Sequence, residues 1–80
     1  MGKYGALTAW LMAQIGGRIA VAFGAIEQIL GSQLPYSARH YRPWWGNELN
    51  ARGRQCRAWL IAGWHVEAVD LANERVVFAR

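Results

Sequence analysis

The sequence predicts a small α+β domain with a winged helix-turn-helix-like architecture, and three patterns lead to that fold class. A helical run followed by a strand-like run opens the chain. Two short amphipathic segments then meet across a turn of about four residues. The chain closes on two alternating runs that read as a β-hairpin. The order is helix, strand, two or three helices, then hairpin. A winged helix has this order, with its first strand closing the sheet beside the wing.

Leu7, Trp10, Leu11 and Ile15 recur at helical spacing, so residues 4–15 read as an amphipathic helix with an inward face, stopped by Gly16-Gly17. Arg18 to Phe23 alternates Ile19, Val21 and Phe23 with smaller or charged residues, which suits a strand. Ala25 to Leu30 sets Ile26, Ile29 and Leu30 on one side of a two-turn helix that Gly31 closes. Pro35 suits the first turn of the next helix, which runs through Ser37, Ala38 and Arg39 to about Arg42, and Pro43 should end it. Trp44 to Asn47 reads as a turn, and Asn50 to Gly53 as a loop. Arg54 to Ala62 forms a last helix with Cys56, Trp59 and Leu60 inward and Arg54 and Arg57 outward, ending at Gly63. Trp64 to Leu71 and Arg75 to Arg80 are the hairpin strands, with Val66, Val69, Val76 and Phe78 facing in.

Eighty residues with 54% apolar side chains support one domain, residues 1–80, and exclude a multidomain enzyme. One Cys makes no internal disulfide and no Cys/His cluster supplies metal ligands, so packing, with five Trp, or self-association as a homodimer must stabilise the chain. Gln14, Gly16, Gly17 and Arg18 break the N-terminal apolar run, which argues against a signal peptide. The uncharged stretch Tyr4 to Gly17 is 14 residues, too short to span a bilayer. A cytoplasmic protein without membrane contact is expected.

The net charge of +4 is not spread evenly. Arg39, Arg42, Arg52, Arg54 and Arg57 are opposed within their segment only by Glu48, while the remaining charges balance. Eight of the nine basic residues are Arg, whose planar fork suits phosphates and base edges. This asymmetry points to a polyanionic partner.

The blocks KYGALTAWL, FGAIEQILG, LPYSAR, WWGN, AWLIAGWHVEAVDL and VVFAR cover nearly the whole chain. In that order they resemble a family of short bacterial and phage proteins that is known mainly as a domain of unknown function. The resemblance implies a compact size and a prokaryotic origin and supplies no mechanism.

Catalysis has little support. Cys56 sits beside Trp59 on an apolar helix face, where a thiol behaves as a small hydrophobe rather than as a nucleophile for His40 or His65. Glu67 and Asp70, three apart in a strand, should point to opposite faces and so make no carboxylate pair. No metal or other cofactor is expected, and no enzyme activity. Adjacent Trp44 and Trp45 do not easily face one core together, so either one of them is partly exposed among the arginines, where an indole stacks on a base or a guanidinium, or both pack across the helix joint and Asn47 caps the next turn. The expectation is a regulatory or accessory protein that binds nucleic acid, double-stranded DNA first. Ser37, Arg39, Arg42, Trp44, Trp45, Asn47, Arg52, Arg54 and Arg57 would form its contact surface. The alternative is a protein-interaction module in which exposed Trp and Arg bind an acidic protein.

Overall fold

The computed structural model describes residues 2–48 and 55–80. Within them the chain is an α+β domain of helices on one face of a three-stranded antiparallel sheet. The elements run α1 (Gly5–Met12), β1 (Arg18–Ala22), α2 (Phe23–Leu30), α3 (Tyr36–His40), a 3-10 helix (Arg42–Trp45), α4 (Arg57–Leu60), β2 (His65–Asp70) and β3 (Arg75–Ala79). The sheet order is β1-β3-β2, so the first strand closes on the far side of the hairpin.

Helix α1 buries Leu7 and Leu11 and stops earlier than the apolar spacing predicts. Its end is closed by one tertiary and one local bond: Trp64 Nε1, from far along the chain, donates to the Leu11 carbonyl at 3.0 Å, and Gln14 Nε2, one turn on, to that of Trp10 at 2.8 Å. These satisfy acceptors that a helix end leaves open. Ile15, expected in the core, therefore lies on the connection and is 93% exposed. Arg80 holds that connection by donating to the Gln14 and Gly16 carbonyls while its guanidinium lies 4.5 Å from the Trp64 ring centre.

Strand β1 passes directly into α2, whose first residue, Phe23, stays buried as the alternation requires. Gly31 closes α2 at φ 75, the left-handed conformation expected of a C-terminal glycine. Pro35 stands just before α3 rather than inside it. The break after α3 falls at Tyr41, which is extended, and Pro43 sits within the 3-10 helix instead of ending a helix. A proline fits there because the first residues of a helix need no N–H partner.

The expected loop at residues 50–53 and the start of the last helix at Arg54 lie outside the described residues; α4 itself is shorter than predicted. In β2 a bulge between Val66 and Ala68 adds one residue, Glu67. The bulge keeps Val66 and Val69 on the inner face although they are three apart. It also overturns the expected split of Glu67 and Asp70, since both are exposed. Glu67 is ion-paired with Arg18, and Asp70 accepts from the backbone and side chain of Asn73 in the hairpin turn.

Aromatic rings dominate the core. Phe23 stacks on Trp45 at 5.1 Å between ring centres, Trp45 on Trp59 at 5.9 Å, and Trp59 meets Phe78 at 5.8 Å. This column ties α2, the 3-10 helix, α4 and β3 together. Each buried indole N–H also has an acceptor: Trp45 donates to the Ala38 carbonyl at 2.7 Å, Trp59 to Asn47 Oδ1 at 3.0 Å and Trp64 to Leu11. Leaving such a group unpaired would cost about 1–3 kcal/mol.

Candidate functional site

The described arginines of the basic segment, Arg39, Arg42 and Arg57, turn toward different neighbours. Arg39 projects from α3 into the fold, where Nη2 reaches Glu27 Oε2 at 2.8 Å and Nη1 reaches Glu74 Oε2 at 2.6 Å. It therefore joins α2, α3 and the hairpin turn. Glu27 Oε2 also accepts the Leu34 N–H at 2.8 Å, which fixes the turn between the two helices. The bond from Arg39, then that from Leu34, holds the Glu27 carboxyl below the usual carboxylate range, and the two carboxylates raise Arg39. An arginine between two carboxylates has no net charge left to offer a phosphate, so its placement argues against the expected contact role.

Arg42 donates to the Val69 carbonyl on the outer edge of β2 and remains exposed. Arg57 is exposed on α4, on the side of Lys3 and the start of α1. Arg52 and Arg54 lie outside the described residues.

Asn47 is a structural pin. Its Oδ1 accepts from Val66 N–H at 2.8 Å and from the Trp59 indole, and its Nδ2 donates to the Val66 carbonyl at 2.8 Å. One side-chain amide thus occupies the backbone edge of β2 as a neighbouring strand would. All three of these bonds are made within the fold.

The tryptophans are not exposed. Trp45, expected at the surface as one of two options, is buried; Trp44 is half-buried between Tyr4, at 6.0 Å edge-on, and Trp45, at 4.7 Å. The exposed-Trp contact drawn from the sequence has no exposed indole to use among the described residues, Trp10 also being half-buried.

Other rings occupy that surface. Tyr36 is 76% exposed and stacks on His40, one helical turn later, at 4.0 Å between ring centres. Tyr41, 60% exposed, follows. Ser37 lies on the same helix and lines a cleft of about 530 Å³ with Tyr41, Pro43, Trp44, Glu48 and Gln55. Gln55 Nε2 donates to the Trp44 carbonyl at 2.6 Å and closes the cleft's end. The sequence reading did not single out Tyr36 or Tyr41. The i, i+4 spacing of Tyr36 and His40 was a signal for a shared helix face, although not for exposure.

Among the described residues no helix is long and apolar enough to cross a membrane, and no three His, Cys, Asp or Glu converge as metal ligands. Cys56 is buried, with Sγ 3.2 Å from the Glu48 carbonyl.

A family model described as "Domain of unknown function (DUF7662)" matches residues 4–80. No curated protein and no solved structure matches the chain.

Proposed function

The chain belongs to the DUF7662 family, a domain of unknown function, and from its own surface we propose that it is a nucleic-acid-binding accessory protein of winged-helix-like fold. The observation that carries this reading is the trio of rings, Tyr36, His40 and Tyr41, held at the surface by α3 and the residue after it. Burying a large apolar side chain is worth about 1.5–3 kcal/mol, so a chain with a small core leaves such rings outside at a cost in stability. Stacking on bases recovers that energy in a complex, at about 1–3 kcal/mol per base.

The element order and the sheet order β1-β3-β2 support the winged-helix reading, with the 3-10 helix and α4 inserted before the hairpin. Helix α3 has five residues, a length of about 7.5 Å. That is short for reading a major groove, so the rings favour unpaired bases over a duplex. Ser37 and Arg42 stand beside the rings as phosphate contacts, and Arg57, with Arg52 and Arg54 before it in the sequence, supplies charge.

Fluorescence anisotropy of a labelled oligothymidine strand and a labelled random duplex, titrated at several salt concentrations, tests the reading. Binding should be tighter to the strand, and its logarithm should fall with log salt at a slope of about −2 to −4. Absence of binding to either at low salt overturns the proposal, and a duplex preference overturns its stacking mode.

A further inference from the structure

The groove between α1 and α4 lies apart from the α3 rings and shares only Gln55 with the cleft beside them. It has an open volume of about 680 Å³. Tyr4, Ala9 and Met12 line one side, and Ala58 and Ile61 the other. Thr8 lies between them, and its hydroxyl is spent on the Ala58 carbonyl at 2.8 Å, which removes the polar group a wetted floor would offer. Met12 is 64% exposed and Ile61 59%, so two large apolar side chains, one at the end of α1 and one just past the end of α4, meet solvent in one concavity. Its rim carries Lys3 and Arg57, and among the described residues no carboxylate lines it.

We propose that this groove docks an acidic amphipathic helix of a partner protein. Two adjacent helices present the trough into which a third lays its apolar face, read as anchors at i, i+3, i+4 and i+7. Met12 and Ile61 are the groove's apolar contacts, and Lys3 and Arg57 select Asp or Glu on the flanks of the incoming helix. Charge decides against a second copy of this chain: a two-fold contact would bring Lys3 and Arg57 of both copies together with no carboxylate between them. A nucleic acid would meet the cations but leave Met12 and Ile61 without an apolar partner. The proposal shares Arg57 with the nucleic-acid reading as a source of charge, but its apolar contacts, Met12 and Ile61, are separate from the α3 rings that carry that reading.

The test is a phage-displayed library of helical peptides of about 16 residues, selected on the full chain and re-synthesised with a fluorescent label. Selected sequences should combine the four apolar anchors with flanking Asp or Glu. Their affinity should fall about tenfold or more on Ile61→Glu and on Met12→Glu. Arg57→Glu should weaken them about threefold or more, and added salt should weaken binding to the native chain. Both apolar positions are exposed, so circular dichroism and Tm should confirm that these variants fold. Selection of basic sequences, no enrichment, or binders indifferent to both Ile61→Glu and Met12→Glu would overturn the proposal. So would a dimer in sedimentation that Ile61→Glu dissociates. Oligothymidine binding should be unchanged in Ile61→Glu, which separates a failure here from a failure of the nucleic-acid reading.

Discussion

The side-chain amide of Asn47 is bonded to both backbone groups of Val66, accepting from its N–H and donating to its carbonyl, each at 2.8 Å. A strand edge otherwise invites pairing with another chain, and a side chain in that place blocks it. The same Oδ1 accepts from Trp59, so the edge of the sheet and the aromatic column share one anchor.

Asn47→Ala should therefore destabilise the fold by about 1–3 kcal/mol, since a buried indole N–H and two edge groups lose their partner. Asn47→Asp keeps the two accepting bonds and loses the donating one, so its loss should be smaller. Urea denaturation followed by Trp fluorescence measures both, and equal stability of native and Asn47→Ala protein would contradict the anchor role.

Arg39→Ala should behave as a stability variant. Removing it leaves Glu27 and Glu74 without their shared cation, and a loss of about 1–3 kcal/mol is expected. The slope of log affinity against log salt for oligothymidine should stay within about half a unit of the native value, because Arg39 contributes no free charge. A slope reduced by one unit would return Arg39 to the contact surface.

The Glu27 carboxyl is held below its ordinary value by Arg39 and the Leu34 N–H. A carboxylate whose folded pKa is depressed contributes stability that is present above the unfolded pKa, about 4.3, and is lost as pH falls through the folded value. Native protein should thus lose stability in acid more steeply than Glu27→Gln, which starts about 1 kcal/mol less stable at neutral pH. The two curves should converge below pH ~4; parallel curves would show that Glu27 does not titrate with folding.

For the proposed interface, Tyr36→Ala with Tyr41→Ala should weaken oligothymidine binding about tenfold or more and leave Tm within a few degrees, since both rings are exposed. A large fall in Tm with unchanged binding would make these rings structural.

Trp64→Phe keeps an aromatic ring in the core but deletes the N–H that holds the Leu11 carbonyl, together with part of the buried ring volume. A cost of about 1–2 kcal/mol is expected, together with faster amide exchange in the last turn of α1.

Much of the fold was legible because it is written locally. The apolar periods at Leu7 and Leu11, at Ile19 and Val21, and at Val76 and Phe78 identify helix, strand and strand within a few residues, and Gly31 marks its helix end where the left-handed conformation is needed. The candidate site was less legible. The charge run from Arg39 to Arg57 is contiguous in sequence, yet α3, the 3-10 helix and α4 turn its described members toward different neighbours. Asn47 was singled out for its polarity and place beside Trp45, which are equally what a strand-edge pin requires.

The sequence by itself determined the order of the α-helices and strands, the aromatic content of the core and the excess of positive charge, since each follows from composition or from spacing over a few residues, whereas the local pattern over the 3-10 helix at Arg42–Trp45 reads as a helix end and a turn. The tertiary structure alone decided where α1 stops, which rings stay outside and which arginine is neutralised. Those outcomes rest on bonds between residues far apart in the chain: Asn47 to Val66 across 19 positions, Arg39 to Glu74 across 35 and Trp64 to Leu11 across 53. A polar or charged side chain takes its role from the partner that folding brings within about 3 Å, and no local pattern encodes that partner.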